Sequence, residues 1–221
     1  TCKKIKVNTP YVLDIGEAYD GLARSPILSP FMAATLAACN IPTVLHTTQD
    51  LAPKYGLTPK DVIENAGGQA SSLKQVSIDF NQENTQNAKW AVITQEEYFP
   101  EVHQLKQMRK EMVKRPFLAT FERLLQPIQP IEGKLLLATG YTHTDYRPMI
   151  SKLLSTITPT TIHSVIRGAE GGARPPLQRD NLFVWGPNPK SLKEIGKNVF
   201  KNSMLKNMLV NDNKIKKKFL K

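Results

Sequence analysis

Asp14-Ile15-Gly16-Glu17-Ala18-Tyr19-Asp20-Gly21, with Arg24-Ser25-Pro26 and the helix-forming run Ser29-Pro30-Phe31-Met32-Ala33-Ala34-Thr35-Leu36-Ala37-Ala38-Cys39 behind it, decides the fold. Tyr11 to Ile15 has the β-branched, apolar make-up of a buried strand, and Gly16 with Asp20-Gly21 bounds a turn after it. Ser29 reads as the cap of a helix, with Pro30 at the first helical position, where a missing N–H costs nothing. The run from Phe31 to Cys39 is apolar on nearly every face, which predicts a helix buried between a sheet and other helices. Asn40 ends it, and Thr43 to His46 reads as a second core strand. Strand, loop, helix and strand form a βαβ-like unit whose loop and helix N-terminus point backbone N–H groups at an anion.

Working outward, strands and helices alternate. Thr58-Pro59-Lys60-Asp61 opens a helix to about Ala66, stopped by Gly67-Gly68. The pattern continues with a helix from Ser72 to about Asn84, a strand over Trp90–Thr94, a helix over Pro100–Lys114 and another from Pro116 to Leu125, closed by Pro127 and Pro130. Lys134–Ala138 reads as a strand, Asp145–Ile157 as a helix, and Thr161–Ile166 and Asn181–Trp185 as strands. This order predicts an α/β domain with a central, mostly parallel or mixed sheet flanked by helices over residues 1–187. No internal repeat and no zinc-ligand spacing is present; His46, His103, His143 and His163 are scattered.

The 221 residues are 40% hydrophobic, enough for one large domain with a sizeable core. The chain opens on a threonine without a signal peptide, as a fragment or processed chain would. No apolar run approaches the roughly 20 residues that span a bilayer, which argues against a membrane partner. Cys2 and Cys39 make no disulfide framework, and a reducing compartment, cytoplasm or organelle matrix, is expected. Of the net charge of +11, residues 188–221 carry +8 through ten lysines against Glu194 and Asp212. Ser191-Leu192-Lys193-Glu194 has the capping-box pattern of a helix start, and the run Lys214, Lys216, Lys217, Lys218 and Lys221 reads as a fraying, basic tail. Such a tail is either a solvated terminus or a surface for nucleic acid or another polyanion.

The opening stretch resembles the anthranilate phosphoribosyltransferase family, glycosyl transferase family 3, and its divergent branch in particular. In that family a strand leads into Gly-Thr-Gly-Gly-Asp-Gly, which wraps the pyrophosphate of phosphoribosyl pyrophosphate; here Gly16, Asp20 and Gly21 match, while Glu17, Ala18 and Tyr19 depart. Of the family's Asn-x-Ser-Thr only Ser29 survives, and of its Lys-His-Gly-Asn-Arg only His46. Arg109-Lys110-Glu111-Met112-Val113-Lys114-Arg115 is similar to Arg-Arg-Glu-Leu-Gly-x-Arg, whose first arginine contacts the aromatic acceptor. Gly140-Tyr141-Thr142-His143 and Arg167-Gly168-Ala169-Glu170-Gly171-Gly172 look like runs of the divergent branch. The resemblance covers about Tyr11 to Gly186. It implies anion binding by Gly16, Asp20, Gly21, Ser29, His46, Arg167 and Gly168, and acceptor binding by Arg109. The family's N-terminal helical domain, which supplies dimer contacts and half of the substrate cleft, has no counterpart in these residues; a homodimer is implied only through it.

Family enzymes bind Mg2+ through an Asp-Glu pair, because a pyrophosphate leaving group needs cations against its developing charge. That pair falls on Ala173-Arg174, so no metal ligand is expected, and Mg2+ belongs here only to an active enzyme. Glu170 reads as an ion-pair partner of Arg167 and Arg174, and Glu17 as a carboxylate that repels phosphate. Other residues carry two readings each. His46 is a phosphate contact or a satisfied polar group at a sheet edge; Ser29 is an anion contact or a cap alone; Arg109 holds an acceptor or lies on a solvated helix face. Two functions follow: a phosphoribosyltransferase-like glycosyltransferase with degraded chemistry, or a non-catalytic relative that binds nucleic acid through Arg174, Lys214, Lys216, Lys217 and Lys218.

Overall fold

A computed structural model describes residues 2–82, 89–158, 160–174 and 183–186, the last four by backbone only. The strands are β1 (Ile5–Val7), β2 (Tyr11–Gly16), β3 (Thr43–Thr47), β4 (Trp90–Thr94), β5 (Ile128–Pro130), β6 (Lys134–Tyr141), β7 (Ile162–Arg167) and β8 (Phe183–Gly186). The α-helices are α1 (Ser29–Ala38), α2 (Pro59–Asn65), α3 (Leu73–Asn81), α4 (Gln95–Tyr98), α5 (Pro100–His103), α6 (Lys106–Glu111), α7 (Leu118–Phe121) and α8 (Tyr146–Ile157). Six strands form one sheet in the order β4-β3-β2-β6-β7-β8, parallel except for the β7–β8 pair; β1 and β5 make a separate parallel pair.

The strands alternate between two cores, as the period of two requires when helices cover both faces. Val12, Val44, Ala91 and Ile93 join Tyr19, Phe80 and Tyr98 on one face. Ile15, Leu45 and Val92 meet Ala33 of α1 and Ile63 of α2 on the other. Farther along the sheet, Leu137 and Val165 pack on Ile150 and Leu154 of α8. The chain runs from β2 to β3 on one side and later returns to β6 on the other side of β2. The C-terminal ends of β2 and β6 therefore flank the switch point, where sheets of this kind leave a crevice.

Four sequence expectations need correction. Helix α1 starts one residue earlier than a Ser29 cap would place it: Leu28 is the cap residue, and no side chain caps the helix. Nor is α1 buried all round; Ala33 and Ala37 face the sheet while Phe31 is 62% exposed and Leu28 is exposed too. The helix over Pro100–Lys114 is broken into α5 and α6, and a third short helix, α4, precedes them. Phe99 at φ −145, ψ 64 interrupts the helical path between α4 and α5. Pro116–Leu125 is one turn of α-helix, α7, followed by a 3-10 turn over Glu122–Leu124. The short strands β1 and β5 have no counterpart in the sequence reading. The proposed helix at Ser191, the tail lysines and the end of the Ser72–Asn84 helix beyond Gln82 lie outside the described residues.

Candidate functional site

The loop after β2 is held by its own carboxylates. Gly21 has φ +75, a left-handed conformation that disfavours any side chain, and it closes the Glu17–Gly21 turn on the Ala18 carbonyl with a 2.9 Å hydrogen bond. Asp20 is buried and does not point at an open cradle. Its Oδ2 accepts from Arg115 Nε and Nη2 at 3.0 and 2.5 Å, and Lys54 Nζ lies 3.5 Å from Oδ1. Burial pushes the Lys54 ammonium below the ordinary lysine range, with Asp20 opposing.

Two further acids join this loop to the Gly168–Arg174 segment, one from each side. Glu17 Oε2 accepts from the Ala173 N–H at 3.1 Å. Glu170 Oε2 and Oε1 accept from the Ala23 and Arg24 N–H groups at 3.0 and 2.8 Å. Partial burial pushes the Glu170 carboxyl up, but those two N–H groups, Lys54 and Ser25 together hold it below the ordinary glutamate range, so it is an anion at neutral pH. It is seated at φ 52, ψ 21, a conformation rare for a residue with a side chain. Glu170 thus serves as the anion on two backbone donors, and the expectation of an ion pair with Arg167 and Arg174 is replaced by these bonds. Positions Ala173 and Arg174 offer no side-chain oxygen, and the Ala173 N–H is spent on Glu17. These residues do not fit a hard divalent cation, and among the described residues no group of three or more His, Cys, Asp and Glu could hold a metal.

The remaining sequence candidates are dispersed. Gly16 ends β2 and pairs in register with His46 on β3 and Thr139 on β6, so it stands at the switch point. Ser29 is buried on α1, and its Oγ has no partner among the described residues. His46 is fully buried: Nε2 lies 2.6 Å from Asp14 Oδ1, and Nδ1 bonds the Tyr19 hydroxyl, which in turn bonds Tyr98. With both ring nitrogens engaged it offers nothing to a phosphate. Burial, with Tyr98 beside it, pushes the Tyr19 hydroxyl well above its ordinary value, and burial does the same to Tyr98; both stay neutral donors.

Arg109 lies on no solvated face. It is 1% exposed, and its Nη1 donates to Glu122 Oε2 at 2.7 Å, the oxygen that also accepts from Gln95 Nε2 at 3.0 Å. Arg167 is half-buried at the end of β7, opposite Tyr141. Gly168 follows, where a Cβ would strike the Gly172 carbonyl at 1.6 Å, so only glycine lets the two backbones meet. Arg174 is half-buried, its Nε without a partner among the described residues. Lys214, Lys216, Lys217 and Lys218 lie outside the described residues.

Sequence reasoning missed Arg123, which is buried and donates through Nη1 to the carbonyls of Gly140 and Gly171 at 3.2 and 2.5 Å. It thereby ties the ends of β6 and the Gly168–Gly172 turn together. A usable signal existed: Glu122-Arg123 interrupts a stretch from Leu118 to Leu125 that is otherwise uncharged and, but for Thr120, apolar. Charges in such a place are paired inside rather than solvated.

A mostly parallel sheet covered by helices, with a loop and a helix at its switch point, defines the class: an open α/β domain. Solved structures make this specific at the level of fold. Anthranilate phosphoribosyltransferase from Saccharomyces cerevisiae, in a variant with Mg bound, superposes with a TM-score of 0.66 at 14% identity over 89% of this chain and 50% of that one. The yeast enzyme in complex with PRPP and Mg gives 0.61 at 15%, over 82% and 48%. The enzyme from Thermus thermophilus gives 0.61 at 16%, over 83% and 52%. The chain therefore has the anthranilate phosphoribosyltransferase fold and spans about half the length of those structures. A curated relative, an uncharacterized protein of Aquifex aeolicus (strain VF5), is 25% identical over 210 residues, 92% of this chain and 60% of its own length. No protein-family model matches. Among the described residues no helix is long and apolar enough to cross a membrane.

Proposed function

We propose that this chain is a phosphoribosyltransferase-fold domain whose anion loop is neutralised from within, and that it does not carry out magnesium-dependent phosphoribosyl transfer to anthranilate. The observation that carries the reading is the Glu170 carboxylate on the Ala23 and Arg24 N–H groups. A phosphate held at the same donors would have to displace a unit charge already bonded there. The departures at Glu17, Ala173 and Arg174 point the same way, because a pyrophosphate leaving group needs cations that these residues cannot gather. The test is product formation from phosphoribosyl pyrophosphate and anthranilate with Mg2+. None above background is expected, whereas magnesium-dependent turnover abolished by Glu170→Gln would overturn the proposal.

A second reading, binding of nucleic acid or another polyanion, rests on the +8 carried by residues 188–221 and on Arg174, whose Nε has no partner among the described residues. With about five lysines on duplex phosphates, log affinity would fall against log salt with a slope of roughly −4 to −5. Ending the chain at Gly186 should remove most of that slope; a slope that survives truncation would rule out the tail.

A further inference from the structure

The sheet has a second opening, beside the switch point and separate from the carboxylate-filled loop. A cavity of about 360 Å³ lies at the C-terminal end of β6, between α7 and the start of α8, and is walled by Arg115, Phe117, Arg123, Tyr141, His143 and Tyr146 among others. That volume is at the small end of the roughly 300–1,000 Å³ of small-molecule sites. No aspartate or glutamate lines it, while Arg115 and Arg123 do. Arg147 and Arg167 are close enough to act on the Tyr141 hydroxyl as well.

Three features define what this cavity can hold. Tyr141 lines the cavity and is 3% exposed, and its hydroxyl is buried without a partner among the described residues. Burial raises its pKa against those arginines, so it keeps its proton. Two rings of the same lining are left in water: Phe117 is 66% and Tyr146 38% exposed, the latter with the His143 ring 6.2 Å away. Tyr141 itself is too buried to be a stacking platform; these two rings are the stacking surface. The helix end adds no anion site, since the N–H groups of Tyr146 and Arg147 donate to the carbonyls of His143 and Thr144 and Pro148 has none. Charge recognition therefore falls to the arginines.

We infer that this cavity binds a nucleotide, with the base against Phe117 and Tyr146, a polar edge of the base on the Tyr141 hydroxyl, and the phosphate toward the arginines. Exposed aromatic rings beside cations, with one buried hydrogen-bonding group, are the elements by which a base and its phosphate are held together. A free mononucleotide and one unpaired residue of a single strand present the same chemistry. The inference goes beyond the anion-loop reading; Arg115, through Asp20, and Arg123, packed on Gly16 and bonded to the Gly171 carbonyl, stand between the two.

The test is NMR titration of the full chain with AMP, with a short single-stranded oligoadenylate and with inorganic phosphate, repeated on Phe117→Ala and Tyr141→Phe. Saturable shifts at the amides of Thr120, Thr142 and Tyr146 are expected with AMP, with the oligonucleotide or with both, and phosphate should act about tenfold or more weakly for want of stacking. Phe117→Ala should weaken binding about five- to hundredfold, as loss of a stacking ring does. Tyr141→Phe should weaken it about two- to tenfold, for one hydrogen bond. Response to AMP identifies a free nucleotide as the occupant; response to the oligonucleotide alone, dependent on Phe117, identifies a single strand. The inference is overturned by silence with both probes, by phosphate binding as tightly as AMP, or by oligonucleotide binding that ignores both substitutions. Phe117 is exposed, so its variant keeps the fold and decides the outcome if Tyr141→Phe proves unstable.

Discussion

Arg109 and Glu122 show how far a residue's setting can depart from its motif. Arg109 stands in a run of charges that reads as a ligand contact or a solvated face, yet it is buried against Glu122, thirteen positions away on a different element. The pair is incompletely satisfied, because Arg109 Nε and Nη2 and Glu122 Oε1 lack partners among the described residues. Burial pushes the Glu122 carboxyl above the ordinary glutamate range, with the Arg109 and Gln95 hydrogen bonds opposing. Arg109→Met should cost about 3–5 kcal/mol, because it strands a buried carboxylate. Replacing both, with Glu122→Leu, should be near neutral or stabilising. The pH dependence has a definite sign. A carboxyl whose folded pKa is raised favours folding below its unfolded value of about 4.3, and that contribution is lost as pH rises through the folded pKa. Without Arg109 the folded pKa rises further, so urea midpoints of Arg109→Met should fall more steeply with rising pH above that value than those of the parent. A variant with parental stability and slope would show that the pair does not act as described. Nothing in the local sequence marks Arg109 as buried, whereas Glu122 carries the signal of the stretch it interrupts; His46 is as silent as Arg109, since its partners Asp14 and Tyr19 come from a neighbouring strand and its loop.

At the scale of elements, periodicity located most strands and helices but could not orient them. Helix α1 is apolar on nearly all faces, so the sequence contains no contrast from which to choose the side that packs. In the fold Ala33 and Ala37 are buried, and Phe31 and the cap residue Leu28 are exposed. Ala33 is 0% exposed and Phe31 62% exposed, which gives a paired prediction. Ala33→Leu should overpack the contact with Ile15 and Leu45 and lose about 1–3 kcal/mol, while Phe31→Ser should stay within about 0.5 kcal/mol of the parent. Chemical denaturation of both variants checks it; the reverse ranking would mean that α1 packs through its other face. The strands β1 and β5 escaped the sequence reading because each is three residues long. Pro127 and Pro130 also read as helix punctuation, although proline is tolerated on an edge strand. The Pro100–Lys114 helix failed as one helix because it breaks between α5 and α6, at Gln104 and Leu105, where Leu105 has ψ 3 and apolar spacing alone gives no warning.

For the whole molecule, the alternation of strands and helices made the mostly parallel sheet legible, and the opening Asp14–His46 stretch showed the unit of β2, α1 and β3, whereas the switch point beside β2 follows only from the strand order. The state of the loop there was legible only in part. Glu17 within a phosphate-type turn signalled a conflict, but the residue that fills the loop, Glu170, lies 146 and 147 positions beyond the two N–H groups it occupies. Only the return of β7 to the sheet brings it there, so the sequence shows the acid without its partners. The central claim is that the anion position of this fold is taken by the protein's own carboxylate. Isothermal titration of pyrophosphate with Mg2+ into the parent chain and into Glu170→Gly tests it most directly. Glycine suits the positive φ at this position and frees the Ala23 and Arg24 N–H groups. Removing one unit of negative charge at contact distance is worth about 1–4 kcal/mol, so pyrophosphate should bind Glu170→Gly about fivefold or more tightly than the parent. Tight binding to the parent chain, or an affinity that Glu170→Gly leaves unchanged or weaker, would contradict the account.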